Sequence, residues 1–283
     1  MILFNGRIVE DDQVAISPTD RGYNFGDGIY EVFRIYGGQL FEREAHMARL
    51  SRSAAAIRLR LPWTIDELDR QLRQLMEAQP VDNGTLYIQI TRCAAPRNHA
   101  FPAQGEAVVV AFIRELPRPV AALENGIQAV TMEDIRWLRC DIKSLNLLPN
   151  VLAKQEALDR GAGEAIFHRG ATVTECSSSN FMAVKDGIVY THPATNLILH
   201  GVTRGVLLQL AAQQGIAVVE RPFDLAFLAQ ADEAFLSGTT SEITPIVGID
   251  GRPVGDGAPG PVTRRLQQAF ERRVQACADG KPE

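Results

Sequence analysis

Lys143 stands in the run Leu138-Arg139-Cys140-Asp141-Ile142-Lys143-Ser144-Leu145-Asn146-Leu147-Leu148, a cation with apolar residues on both sides. An amine that is partly buried near other cations is drawn toward its neutral, nucleophilic form and can then make a Schiff base with a carbonyl compound. The competing reading is a surface lysine on an amphipathic segment. A second polar group is Thr172-Val173-Thr174-Glu175-Cys176-Ser177-Ser178-Ser179-Asn180. It is either a polar loop between strands or a cradle of hydroxyls in which Glu175 accepts from a protonated ring nitrogen. Leu199-His200-Gly201-Val202-Thr203-Arg204 precedes a predicted helix. Thr203 is a candidate cap there, and the free amides of a helix start also suit an anion. Ser237-Gly238-Thr239-Thr240-Ser241 offers hydroxyls and amides to the same anion, or is simply a turn. Arg97-Asn98-His99, between Pro96 and Phe101-Pro102, offers a planar fork and an imidazole to a carboxylate. An exposed loop whose side chains meet only water fits those three residues equally well.

Other chemistries have no support. The sequence contains no GxGxxG, P-loop, HExxH, EF-hand loop or GxSxG elbow, which leaves dinucleotide, nucleotide-phosphate, metal and serine-hydrolase readings without a motif. Cys93, Cys140, Cys176 and Cys277 form no CxxC pair and read as reduced thiols of a cytoplasmic protein, with no metal site. A net charge of −5 argues against a nucleic-acid partner. No apolar run approaches the roughly 18–20 residues of a membrane span, and MILFNGRIVE lacks the basic start of a signal peptide. With 283 residues, 46% of them hydrophobic, the chain is long enough for one large core or two modest ones.

The elements that must position these groups alternate α and β. Asn5-Gly6 predicts a hairpin between strands over 3–4 and 7–9. A glycine-studded segment from Asp20 to Gly28 leads into a strand over 29–36, a Gly37-Gly38 turn and a return over 39–41. Met47, Leu50, Ala54 and Ile57 make one face of a helix over 43–57. Thr64 and Glu67 form a capping box for a second helix, with Ile65, Leu68, Leu72, Leu75 and Met76 as its stripe. Strands over 85–93 and 107–113 complete a small N-terminal domain, 1–116. Leu116-Pro117-Arg118-Pro119 predicts an extended linker, 117–121. A larger C-terminal domain, 122–283, would carry the lysine, with strands over 127–132, 165–168, 180–185, 188–190 and 233–236 and helices over 150–160, 203–214 and 261–275.

Four blocks together resemble the fold-type IV aminotransferases that use pyridoxal 5'-phosphate, with the D-amino-acid-specific branch nearest. They are Asp20-Arg21-Gly22-Tyr23-Asn24-Phe25-Gly26-Asp27-Gly28-Ile29-Tyr30-Glu31, Glu133-Asp134-Ile135-Arg136-Trp137-Leu138-Arg139-Cys140-Asp141-Ile142-Lys143-Ser144-Leu145-Asn146, Thr174-Glu175-Cys176-Ser177-Ser178-Ser179-Asn180, and Ser237-Gly238-Thr239-Thr240-Ser241-Glu242-Ile243-Thr244-Pro245. They span nearly the whole chain in consistent order. The resemblance implies a two-domain α+β fold with mixed sheets, in which Lys143 carries the Schiff base and moves the proton. It implies that Glu175 faces the pyridine nitrogen and that Arg49, on the helix that also carries His46, reaches the phosphate. Val202 and Thr203 would add donors to that phosphate, Thr239 and Thr240 would close its cradle, Ser178 would support the pocket, and Leu199 would lie against the ring. The carboxylate trap of the D-specific members falls on Tyr30, Arg97 and His99. The same resemblance implies a cytoplasmic homodimer that passes the amino group of D-alanine and other D-amino acids to a 2-oxo acid such as 2-oxoglutarate in ping-pong order. The alternatives are an R-selective amine or branched-chain L-amino-acid transaminase, an aminodeoxychorismate lyase, and, in a different class, a non-catalytic binder of the cofactor.

Overall fold

Asn5 and Gly6 turn the chain with φ of 46° and 81°, the pair of left-handed residues that a two-residue hairpin needs. They join β1 (Ile2–Phe4) to β2 (Arg7–Val9), which pair as expected. A computed structural model describes residues 1–281 and divides them into two units. The first comprises Met1–Pro117, Ile142–Asn146 and the residues from Gln275; the second comprises Arg118–Asp141 and Leu147–Val274.

The first unit is built on a six-stranded antiparallel sheet. After α1 (Arg21–Phe25) come β3 (Gly28–Tyr36), β4 (Gln39–Leu40), α2 (Arg43–Ala56), α3 (Ile65–Ala78), β5 (Asn83–Thr91) and β6 (Val108–Glu115), in the sheet order β2-β1-β6-β5-β3-β4. The period of two is plain in β5. Leu86, Ile88 and Ile90 are buried and join Met47 and Leu50 of α2 and Leu68, Leu72 and Leu75 of α3 in one core. The opposite face carries an aromatic row, Tyr30–Tyr87–Phe112, with ring centroids 5.7 and 5.0 Å apart. The capping box forms: Thr64 Oγ1 accepts from Glu67 N and Glu67 Oε2 accepts from Thr64 N. The glycine-studded segment holds a helix that its composition does not announce. Asp20 caps α1 by accepting from Gly22 N, and Gly26, at φ 66°, ends it.

The second unit has a nine-stranded mixed sheet. Its elements are α4 (Val120–Asn125), β7 (Ile127–Glu133), α5 (Leu148–Asp159), β8 (Glu164–Arg169), β9 (Thr172–Cys176), β10 (Asn180–Lys185), β11 (Ile188–Thr191), α6 (Val202–Gln213), β12 (Val218–Glu220), α7 (Leu225–Leu228), β13 (Glu233–Gly238), β14 (Glu242–Ile249), β15 (Arg252–Pro253) and α8 (Pro261–Ala278). Strand order is β12-β11-β10-β13-β14-β7-β8-β9, with β15 on β14. The pairs β7–β8, β11–β12 and β14–β7 are parallel and the others antiparallel. Parallel neighbours need a crossover. The crossover from β7 to β8 contains both the lysine segment and α5, and that from β11 to β12 contains α6. The segment after β6 is irregular only as far as Pro119, which takes the N-cap position of α4; proline is tolerated at the start of a helix. No helix among the described residues is long and apolar enough to cross a membrane.

Candidate active site

In the first unit the lysine segment runs beside β3. Tyr30 N donates to Lys143 O (3.1 Å), Leu145 N to Gly28 O (3.1 Å), and Lys143 N to Ser53 Oγ (3.2 Å). Lys143 therefore sits on an irregular strap, neither helix nor strand, whose backbone is pinned from two sides. Its side chain is half-buried, with Nζ 4.2 Å from the centre of the Tyr30 ring.

Helix α2 buries two stripes. Beside the apolar one, His46, Arg49 and Ser53 recur at intervals of three and four residues and are all buried. Arg49 forks onto Glu31 of β3, Nε to Oε1 at 2.6 Å and Nη2 to Oε2 at 2.9 Å. His46 Nδ1 lies 2.8 Å from Glu31 Oε2 and, facing a carboxylate, carries its proton on Nδ1. Burial acts to raise the Glu31 carboxyl, but the charge and hydrogen bonds of Arg49, helped by His46, outweigh it and hold the group well below the usual carboxylate range. Burial lowers His46, and the nearby charges of Arg49 and Lys143 add to that.

The loop with Arg97 and His99 is exposed, yet held from beneath. Arg21, itself paired with Asp27 at 2.7 Å, donates to the carbonyls of Asn98, His99 and Ala100. Arg97 lies 5.0 Å over the Phe25 ring and the His99 ring 5.4 Å from it, so the two share one platform. Among the described residues, neither makes a hydrogen bond or ring contact with Tyr30.

In the second unit Glu175, on β9, is buried and surrounded by donors. Arg136 Nη1 donates to Oε1 (2.6 Å), Asn180 Nδ2 to Oε2 (2.9 Å), and Leu199 N to both oxygens (3.1 Å). Burial pushes its carboxyl up to about 7, with Arg136 and the Leu199 amide pulling the other way. The serine run is thus neither wholly loop nor wholly cradle. It is a strand, then a tight turn closed by Cys176 N donating to Ser179 O, then β10. Ser178 is exposed and donates to Glu164 Oε2 at 3.2 Å, while the neighbouring Ser177 hydroxyl donates to Glu164 Oε1.

Thr203 is not the cap of α6. Gly201 takes that position, with no side-chain cap, and Val202 and Thr203 are the first residues of the helix. A Cβ on Gly201 would stand 2.0 Å from Asn180 Oδ1, so a larger residue fits this position only if Asn180 or the helix start shifts. The first amides of α6 are consequently left without a capping side chain, which suits an anion. Thr239 and Thr240 lie in the turn between β13 and β14, half-buried and exposed respectively. Sequence reasoning missed Glu31, Asp134, Arg136 and Asn180 as partners. A readable signal existed in the polar spacing of α2 and in two opposite charges, Asp134 and Arg136, within one block.

The chain belongs to the amino-transferase class IV family, whose model matches residues 28–249. It is an enzyme of the fold-type IV architecture. It is 50% identical over 276 residues to D-alanine aminotransferase of Staphylococcus haemolyticus, covering 97% of this chain and 98% of that one. It is 48% identical over 282 residues to the enzyme of the same name from Listeria monocytogenes, covering 98% of each. Among solved structures it is similar to the branched-chain amino acid aminotransferase of Escherichia coli, with a TM-score of 0.92 and 29% identity over 100% of this chain and 96% of that one. It also matches the T.th. branched-chain amino acid aminotransferase solved with pyridoxamine 5'-phosphate, with a TM-score of 0.90 and 26% identity over 99% and 95%.

Pyridoxal phosphate fits the chemistry of these donors. Gly201 leaves amides where any Cβ would intrude on Asn180, Glu175 is a buried carboxylate suited to a cationic ring nitrogen, and Lys143 is an amine beside an aromatic face.

Proposed function

We propose that this aminotransferase is a D-amino-acid transaminase. It passes the amino group of D-alanine and other D-amino acids to a 2-oxo acid such as 2-oxoglutarate, with pyridoxal 5'-phosphate as cofactor and in ping-pong order. One observation carries the substrate assignment: identity of 48–50% with D-alanine aminotransferases over almost the whole chain, against 26–29% with the branched-chain enzymes of like fold.

When bound, the cofactor supplies an aldehyde for the substrate's amino group and a ring that accepts the electrons left at Cα. Lys143 supplies the amine and carries the proton. With its backbone pinned at both ends of the strap, Nζ moves by side-chain rotation alone and takes the proton from substrate Cα. Glu175 holds the proton at the ring nitrogen, which favours the cationic ring and with it the charge developing at Cα. Arg49, Val202 N–H, Thr203, Thr239 and Thr240 bind the phosphate, and Leu199 and Ser178 line the pocket. Tyr30, Arg97 and His99 bind the substrate carboxylate, so that one enantiomer alone directs its Cα–H at Lys143.

The working unit in this reading is a homodimer in the cytoplasm. Support for association comes from exposed apolar residues: Trp137 and Leu138, with Leu148, Val151 and Leu152 on α5, two of which are more than 60% exposed. The four buried cysteines, none of them in a disulfide, agree with a reducing compartment. Arg97 and His99, exposed and apart from Tyr30, would then serve whichever copy's pocket lies nearest.

The deciding experiment incubates purified protein and pyridoxal phosphate with D-alanine and 2-oxoglutarate and measures D-glutamate by chiral chromatography. L-leucine, an R-configured aromatic amine and aminodeoxychorismate run as competing substrates. D-glutamate formation well above every competitor is expected. Faster turnover of L-leucine or of the amine overturns the D-specific reading, and pyruvate release from aminodeoxychorismate makes the chain a lyase.

A further inference from the structure

We propose that Arg136 is a positioning residue of the reaction: by holding Glu175 ionised and aimed, it governs the protonation of the cofactor's ring nitrogen, an inference that rests on the role given to Glu175 above. Each edge of its guanidinium is already committed. Nε and Nη2 donate to the two oxygens of Asp134 at 2.9 Å each, and Nη1 is left to meet Glu175 Oε1 at 2.6 Å. The plane of the group is fixed as well, 4.6 Å over the Phe167 ring. Asp134 cannot yield, because it also accepts from Arg136 N (3.1 Å), Arg169 Nε (3.1 Å) and Thr174 Oγ1 (3.2 Å). The fork is therefore set by Asp134 and points a single N–H at Glu175.

The charges around Glu175 make Arg136 decisive. Its other donors, Asn180 Nδ2 and the Leu199 amide, are neutral. Asp134, Cys140 and Cys176 also act with it, and none of them is cationic. Arg169 is turned to Asp134. Burial already pushes Glu175 up to about 7 with the guanidinium in contact, so the group stands at the edge of neutrality in the physiological range. Loss of the cation leaves a neutral carboxyl at pH 7, and a neutral carboxyl gives the ring nitrogen no reason to keep its proton.

The test labels glutamate carboxyls with 13C and follows the Glu175 resonance, assigned by its absence in Glu175→Gln, through a pH titration of the cofactor-free protein. Arg136→Met is expected to raise the midpoint by about one pH unit or more, and Arg136→Lys to restore most of the shift. In the loaded enzyme the acidic limb of the kcat profile should move up in parallel. At pH 7 kcat should fall by about fivefold, the drop in the ionised fraction when a midpoint near 7 rises by one unit, with KM for D-alanine nearly unchanged. In the Glu175→Gln background the same substitution should cost nothing further. Should Arg136→Met fail to fold, Asp134→Asn/Arg136→Gln removes both charges while keeping hydrogen-bonding groups and is expected to raise the midpoint likewise. An unmoved midpoint in a folded variant, or a kcat loss that persists in the Glu175→Gln background, overturns the role of Arg136. Turnover undiminished by Glu175→Gln alone instead overturns the reading of Glu175, and the part of Arg136 in turnover with it.

Discussion

Arg49 meets both oxygens of Glu31, at 2.6 and 2.9 Å, and both side chains are buried. The pair fixes the guanidinium on a strand of the sheet rather than leaving it to the helix alone. Glu31→Gln keeps the shape but leaves Arg49 with a neutral partner. Breaking one side of a buried ion pair costs about 3–5 kcal/mol, so the urea midpoint of the apoprotein should fall clearly. If Arg49 binds the phosphate, pyridoxal phosphate should also dialyse away faster from Glu31→Gln than from the parent. Retention of both stability and cofactor would mean that Glu31 is a spectator.

The pH dependence of stability has two opposed parts. His46 is lowered from its ordinary 6.5 and Glu31 from 4.5, so both contribute stability that is present above those values and lost as pH falls below them through the lowered folded ones. Glu175 is raised from 4.5 to about 7, so its contribution is present below 4.5 and lost as pH rises toward 7. Denaturation midpoints of the apoprotein should show that Glu175→Gln removes a loss on going from pH 4.5 to 7. Glu31→Gln should in turn flatten the acid limb below 4.5. Parallel curves for parent and both variants would contradict both assignments.

The elements were legible where one period ran without interruption. The stripe of α3, with Thr64 and Glu67 at its start, and the hairpin at Asn5-Gly6 needed only local chemistry. Helix α1 was hidden because its stop and spacing come from glycines that also mark turns, while its start depends on Asp20 reaching Gly22 N. The buried partners were hidden for a different reason. Glu31 and Arg49, or Arg136 and Glu175, are 18 and 39 residues apart, and only sheet register and crossover bring them together. Lys143 shows the same limit. Its neighbours in sequence allow a surface lysine, and the three hydrogen bonds that pin its strap come from β3 and α2.

Substrate recognition should depend on Arg21 as well as on Arg97. Arg21 is buried and donates to three successive carbonyls of the loop, so it sets where Arg97 and His99 stand. Arg97→Ala should raise KM for D-alanine by about tenfold or more, the loss of roughly one charge-assisted hydrogen bond, while cofactor absorbance is retained. Arg21→Met should raise KM in the same direction. Equal loss of bound cofactor in either variant would assign the loop a structural part instead.

Gly201 offers the sharpest steric test. At φ −64° the backbone itself accepts any residue, so only the space beside it is at issue. A Cβ there stands 2.0 Å from Asn180 Oδ1, whereas Asn180 Nδ2 donates both to Glu175 and to Leu199 O. Gly201→Ala must therefore displace Asn180 or the start of α6. Overpacking of this kind costs about 1–3 kcal/mol, and it perturbs the amides proposed for the phosphate and a donor to Glu175 together. Cofactor affinity, measured by titrating the apoprotein with pyridoxal phosphate, should weaken by about tenfold or more on that energy scale. Asn180→Ala/Gly201→Ala relieves the clash and should recover part of that loss, while the missing donor to Glu175 remains. If the double variant binds no better than Gly201→Ala, crowding of Asn180 is not the reason that glycine occupies this position.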